Sequence, residues 1–452
     1  MDFVAADRRA YTPDMSRGSN NQVFELIFGL LELHGFHTNE AQASIIGVTP
    51  TTITNWKTGR VKALNRGKLD EVIRRVHFLS KRRGVDLVGE PSLCPIVIEE
   101  GAGPADLERQ LREKWDSVYL GHKFLYYHPA GAMAWTKMLD TGYGKAQLAK
   151  GFSTAFDIAL NQRPATGKSN LATLLRWSEN KSCGVDLISL GPGDGTKEVH
   201  AIRLLIKHAG PKHRLIDWLT YTPVDVSIPL LRMASEQARN LIRDRLDKES
   251  WPHYLVRPSC SDFEDGNIGF AGHLSDNPGD RRLALFLGGT FGNLKSENRF
   301  VEHSLDRLLR RGDMLWLEVG VRQTRIEDDG LYTLSKGQLG DTQETVRRSL
   351  VEGPHRRFRA SVGSPLDTRM RIIPREGGAT CEVPGSYNFV HDVDINPTGQ
   401  RCSVLYSRRY DIEALRRWFA GHGYETRFEH RTKDRRGRDR TAHLLLFRAR
   451  VT

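Results

Sequence analysis

The chain is poor in the residues that staple small folds or bind structural metals. Its five cysteines, Cys94, Cys183, Cys260, Cys381 and Cys402, are scattered over 452 residues. None forms a CxxC pair or a Cys/His constellation at ligand spacing. This argues against a metal site and suits reduced thiols in a cytoplasm. Long apolar runs are also missing. None reaches the roughly 18 residues of a membrane span, and the opening MDFVAADRRAYTPDMSRGSNNQ has no apolar signal core, so neither insertion nor export is expected. A Walker-type phosphate loop is absent as well. ATGKS at 165–169 comes nearest, but Gln162 stands where that motif needs its first glycine. Acidic charge is in deficit, with Asp+Glu at 55 against Lys+Arg at 67 and a net charge of +12. That balance suits a polyanionic partner but speaks to association and not to fold. The length allows two or three domains with full cores.

What is present begins with a compact helical segment at 20–83. Val23, Leu26, Ile27, Leu30, Leu31 and Leu33 recur at helical spacing, with Gly35 as a stop. NEAQASIIGVTPTTITNWKTGR follows. Ala41, Ala43, Ile45 and Ile46 belong to a short helix, Gly47 fits a tight turn, and Thr49 caps a second helix with Pro50 at its first position. Ile53 and Trp56 face inward, leaving Thr51, Thr52, Thr54, Asn55 and Lys57 outward, with Arg60 and Lys62 just beyond. Short polar side chains followed by cations suit base edges and phosphates. The stretch resembles the helix-turn-helix of phage-repressor-like regulators, which implies binding to double-stranded DNA, with a homodimer on a two-fold site. The bland reading is a docking or oligomerisation module of the same shape.

The most informative segment is VDLISLGPGDG at 185–195. Val185, Leu187, Ile188 and Leu190 read as a buried parallel strand, and Gly191, Gly193 and Gly195 let the chain turn sharply against a ligand before a helix begins. Strand, glycine turn and helix place that ligand at the carboxyl end of a doubly wound sheet. Four later segments fit the same ligand. TYTPVDVS ends a second strand near Asp225, whose carboxylate can accept both ribose hydroxyls. In CSDFED, Asp262 could accept from an adenine amine, while Phe263 stacks or donates through its backbone. LALFLGGTFGNL and RRGDMLWLEVGV supply a fourth and a fifth strand. A nucleoside without phosphates explains the missing Walker lysine, and together these features point to S-adenosylmethionine. Lys197 could then pair with its methionine carboxylate.

The order LGPGDGTKE, TPVDVS, SDFED, FLGGTFGNL, RRGDMLWLEVG resembles the histidine-specific N-alpha-methyltransferases of ergothioneine biosynthesis over roughly 120–450. The resemblance implies a class I methyltransferase sheet of Rossmann-like α/β type with an inserted α+β substrate lobe. It implies cofactor contacts from Gly191, Lys197, Asp225, Asp262 and Phe263. It also implies that Asn293 holds an amino acid acceptor and that Ser407 contributes to its side-chain pocket. Two positions before that serine the family has a glutamate that grips the imidazole, and this chain has Leu405. A leucine cannot replace a charge-assisted hydrogen bond, so histidine is not the expected acceptor. Tyr126, Tyr127 and Tyr143 are the candidates for the family's substrate-binding tyrosines.

The expected organisation is a tail at 1–19, a helix-turn-helix domain at 20–83 and a connector at 84–119. A cofactor core at 120–322 and a substrate lobe at 323–404 follow, and a helix and hairpin at 405–452 complete the core. The expected activity is N-methylation of a small amino-acid-like acceptor. Two other readings stay open. One is a nucleic-acid methyltransferase, although the loop GTFGNL lacks both the Asp/Asn-Pro-Pro-aromatic motif of exocyclic amino methylation and a Pro-Cys nucleophile. The other is a regulator that senses the cofactor or an amino acid without turnover. The basic segments GPHRRFRASVGSP, TRMRIIPRE and RTKDRRGRDRT, the last with six cations, are solvated loops or a nucleic-acid surface.

Overall fold

Two compact units divide the chain at residues 87 and 88. The computed structural model describes residues 28, 31, 38–46, 48–58, 96–114, 117–141, 145–161, 171, 175, 183–208, 216–246, 253–335, 341–361, 367–377, 381–396, 400–434 and 437–449. The expected tail at 1–19, most of the helix at 23–33, Gly47, Arg60, Lys62 and Tyr143 lie outside the described residues.

In the first unit, α1 (Asn39–Ile46) and α2 (Pro50–Lys57) pack as a short helical pair. The cap forms as the sequence dictates: Thr49 is extended, and its hydroxyl accepts from the Thr52 N–H at 3.2 Å with Pro50 at the start of the helix. Ile53 and Trp56, one turn apart, are buried with Ala43, Ile46, Phe28 and Leu31. Thr54 does more than face outward. Its hydroxyl donates to Pro50 O and accepts from the Asn39 amide, both at 3.1 Å, so it ties α1 to α2.

The second unit is built on one large sheet. Its order among the described residues is β1 (Val97–Ile98), β5 (Ser259–Cys260), β3 (Ile216–Asp225), β2 (Cys183–Leu190), β6 (Arg281–Phe286), β7 (Met314–Gly320), β12 (Asp439–Arg448), β11 (Tyr424–Lys433), with β4 (His253–Val256) also paired to β3. β1 to β7 are mutually parallel where they pair. β8 (Asp367–Glu376), β9 (Tyr387–Asn396) and β10 (Gln400–Arg409) form a separate antiparallel sheet. β11 (Tyr424–Lys433) and β12 (Asp439–Arg448) are a hairpin whose second strand joins the large sheet antiparallel to β7.

Alternation along the central strands explains why both faces are covered. Val185, Leu187, Leu283 and Leu285 enter one core, packed by α5 (Lys145–Asn161), α6 (Thr196–His208) and α7 (Ile228–Leu246). Ile188, Leu190, Ala284 and Phe286 enter the other, covered by the segment around Phe300–Leu308 and by α10 (Ile412–Gly421). This is the expected Rossmann-like α/β architecture.

The segment 84–119 holds the helix that the run ADLERQLREKW predicts, α3 (Pro104–Lys114), whose Leu107 and Leu111 join an apolar cluster, and also β1, where Val97 and Ile98 pair with β5. The lobe does not stop at 404. β10 continues to Arg409, with a bulge between Ser403 and Leu405, so Leu405 and Ser407 sit on the antiparallel β8–β10 sheet. The helices α4 (Pro129–Thr141), α8 (Asp341–Val351) and α9 (Gly353–Ser361) complete the elements that frame the site.

Candidate active site

A cleft of about 610 Å³ opens at the carboxyl ends of β2, β3, β6 and β7 and continues onto the lobe sheet. This is where strand order reverses about β2, the usual ligand position in such sheets. The glycine turn forms its floor. Gly193 has φ +60° and Gly195 +79°, left-handed values that a side chain disfavours. Space is equally restrictive: a Cβ on Gly193 would lie 2.3 Å from the Trp135 ring, and one on Gly195 would lie 2.6 Å from Ala234 Cα. Asp194 accepts from the N–H and hydroxyl of Thr196 at 3.1 and 2.9 Å, which fixes the start of α6 beside the turn. Gly191 lines the same wall.

Asp225 terminates β3 and lines the cleft with only 9% of its surface exposed. Burial pushes its pKa up to about 7, against backbone N–H bonds from Ser227 and Val226 that favour the charged form. The Ser227 N–H at 2.8 Å holds the carboxylate in place.

The other expected cofactor residues are less simply placed. Lys197 does line the cleft, but its ammonium is already gripped by both oxygens of Glu318, at 2.6 and 2.7 Å. Burial works to raise the Glu318 pKa, but Lys197, His443 and the Gly288 N–H together outweigh it, leaving the carboxyl below its ordinary range. Asp262 lines the cleft paired with Lys123. The Phe263 ring does not stack in the cleft. It packs into the core, 5.9 Å from Phe286 and 6.2 Å from Phe300 between ring centroids, so its backbone is what it can offer a ligand. Glu198, also in the cleft wall, accepts from the Ser189 hydroxyl at 2.8 Å, and burial pushes its pKa up to about 7.

Sequence reading missed Glu318, although the signal was there. A lone acid inside the apolar strand MLWLEVG must find a cation, because an unpaired buried carboxylate is costly. The pair matters for what the site can hold. With Lys197 neutralised at the glycine turn, the donor set suits a nucleoside better than a chain of phosphates.

At the far end the cleft is lined by Asn293, from the helical turn Thr290–Asn293 after β6, and by Leu405 and Ser407 of β10. Ser407 is held from two sides. Its N–H donates to Asn388 Oδ1 at 3.0 Å, and its hydroxyl lies 3.2 Å from His391 Nε2. His391 is fully buried, and burial, with Arg347 and Arg409 nearby, holds its imidazole well below the ordinary pKa and therefore neutral. Leu405 sits across the ladder from His391 and packs in the apolar cluster of Leu350 and Val351.

The loop of Asn293 and the strand of Ser407 are locked together by Arg408. Its guanidinium donates to Lys295 O at 3.1 Å and pairs with Glu297 at 3.2 Å, both side chains being fully buried. Of the tyrosine candidates, Tyr126 lines the cleft, whereas Tyr127 turns its hydroxyl to Glu108 at 2.6 Å. The basic hairpin crowns the cleft mouth. Arg438 pairs with Asp434 at 2.9 Å and donates to Asp328 O at 2.9 Å, and Arg431 pairs with Glu429 at 2.7 Å and Asp439 at 3.3 Å.

Residues 168–325 match the family model of the histidine-specific, S-adenosylmethionine-dependent methyltransferases. The match spans the glycine turn, Asp225, Asp262 and Asn293, and it ends before β8–β10. The comparison with curated proteins found no match. Similar solved structures include an S-adenosylmethionine-dependent methyltransferase from Clostridium acetobutylicum, 11% identical, covering 69% of this chain and 97% of that one at a TM-score of 0.34. Another is magnesium protoporphyrin IX methyltransferase from Synechocystis, 12% identical, with 75% and 99% covered and a TM-score of 0.33. A third is a sugar N-methyltransferase from a Streptoalloteichus species, 12% identical, with 81% and 100% covered and a TM-score of 0.29. The family match and the cleft together define an S-adenosylmethionine-dependent methyltransferase, with S-adenosylmethionine as its cofactor. No helix among the described residues is long and apolar enough to cross a membrane.

Proposed function

We propose that the protein transfers a methyl group to nitrogen on a small amino-acid-like acceptor bound between Asn293 and Ser407. The observation that carries this reading is the continuity of one cleft from Asp225 to Ser407. Bound S-adenosylmethionine supplies an electrophilic methyl on a sulfonium. The chain's task is then to present an unprotonated nitrogen in line with it. Asp225 holds the ribose, the backbone of the glycine turn and of Phe263 flank the nucleoside, and Asn293 and Ser407 orient the acceptor. Lys197 acts through Glu318, keeping a charged pair at the cleft floor. Leu405 removes the acid that an imidazole would need, so histidine is a poor acceptor. Methyl transfer from labelled S-adenosylmethionine to a panel of free amino acids and amines tests the reading, with Leu405→Glu included. Transfer to a non-histidine amine, with histidine turnover appearing only in the Leu405→Glu variant, is expected. Efficient methylation of histidine by the unaltered protein would overturn the acceptor assignment. Cofactor binding with no transfer to any amine would favour a sensor.

We further propose that α1 and α2 form a DNA-reading pair serving a regulatory role. Thr51 and Lys57 are exposed and Asn55 is half-buried on α2, while the hydroxyls of Thr52 and Thr54 are engaged with Thr49 and Asn39. Thr51, Asn55 and Lys57 are therefore the contacts to test. Selection of the full chain against random duplexes should recover a preferred sequence. Binding should weaken with salt at a log-log slope of roughly 0.9 per phosphate neutralised. Recovery of no preferred sequence would favour a docking module.

A further inference from the structure

The acceptor end of the cleft contains a cation that the preceding account does not use. Arg347, on α8, lines the cleft with only 8% of its surface exposed. Its neighbour Arg348 pairs with Glu352 at 3.0 Å. Arg347 instead has Leu350 and Val351 one turn along, and its guanidinium has no ion pair or hydrogen bond among the described residues. Arg409, which also lines the cleft, is matched. It pairs with Asp329 at 3.0 Å, and the Tyr387 hydroxyl donates to the same carboxylate at 3.1 Å. Leu405, Ser407 and the neutral His391 supply no acid. A guanidinium enclosed this fully without a counter-charge is an open fork for a carboxylate or a phosphate.

Resting on the methyltransferase reading above, we propose that the acceptor is an amine whose far end carries an anionic oxygen group, held by Arg347. Asn293 then holds the amine end under the methyl group, and Leu405 packs the aliphatic stem between them. The ligand class is an acidic amino acid, and a side-chain carboxylate and a phosphate share the chemistry that Arg347 reads.

The test uses the full chain saturated with S-adenosylhomocysteine, with glutamate, O-phosphoserine, glutamine and histidine titrated separately by calorimetry. One or both acids should bind roughly 10- to 100-fold more tightly than glutamine, the range expected for one buried charge-assisted contact. Which acid binds tells carboxylate from phosphate. The preference should collapse in Arg347→Met and persist in Arg347→Lys, which guards against a variant that merely misfolds. Glutamine or histidine binding as tightly as the acids, no acid binding at all, or an unchanged preference in a folded Arg347→Met would each overturn the proposal. Titration of S-adenosylhomocysteine alone separates the two readings. If it binds without any preference for acids, only the anion pocket falls; if it fails to bind, the cofactor reading falls too.

Discussion

The two ends of the cleft are made in different ways. The end proposed for the cofactor is assembled from strand termini, each followed at once by a residue that lines the cleft: the glycine turn after β2, Asp225 at the end of β3, Asp262 after β5. The end proposed for the acceptor is a junction. Asn293 comes from the loop after β6, Leu405 and Ser407 from β10, His391 from β9 and Arg347 from α8. An end written into strand termini is constrained by the sheet and reads locally. An end assembled at a seam can change its acceptor by substitution on the lobe while the cofactor half stays intact.

Breaking the seam itself should have the largest effect. Arg408→Met leaves Glu297 buried without its cation, and removing one partner of such a pair costs about 3–5 kcal/mol. Denaturant unfolding should show that loss, and the double variant with Glu297→Met should recover most of it. Next comes the glycine floor. Gly193→Ala must place a methyl against Trp135 at a left-handed φ, costing about 1–2 kcal/mol for the backbone alone. Cofactor affinity measured by calorimetry should fall while acceptor selectivity stays the same. A smaller effect separates the ends. Ser407→Ala removes one uncharged hydrogen bond, worth about 0.5–1.5 kcal/mol, so the acceptor KM should rise several-fold with the cofactor Kd unchanged. Equal losses in both constants would mean that the two ends are not separable.

A pH series sharpens the same contrast. Asp225 has a folded pKa near 7, raised by burial from the ordinary carboxylate value of 3.8. Between those values the folded state holds the proton that the unfolded state has lost. This group's contribution to stability therefore falls as pH rises from about 4 to about 7 and is level above. The proposed ribose contact needs the ionised form as acceptor, so cofactor affinity should strengthen through pH 7. That dependence should weaken in Asp225→Asn, with Glu198, also near 7, accounting for any remainder.

Legibility followed the same division. The central strands, the glycine turn and the place of Asp225 at a strand end could be read because apolar runs and turn chemistry are local, whereas the sheet type came only from the family resemblance. Lys197, Asp262 and Phe263 all line the cleft, but the groups that hold them could not be read, because Glu318, Lys123 and the aromatic core lie far away in the chain. In VRRSLV the two arginines look alike. Only the apolar residues at i+3 and i+4 from Arg347, against Glu352 at i+4 from Arg348, hint that one turns inward. The edge strand β1 was hidden in a Pro- and Gly-rich stretch, where two residues suffice to pair and no periodicity can show.

The most direct test is calorimetric titration of S-adenosylmethionine into the full chain at pH 8, beside Asp225→Asn and Ser407→Ala. One cofactor per chain should bind, with affinity lost by roughly tenfold or more in Asp225→Asn, as expected for a charge-assisted contact, and unchanged in Ser407→Ala. Absence of binding by the folded wild-type chain, or equal affinity in the wild type and Asp225→Asn, would contradict the account.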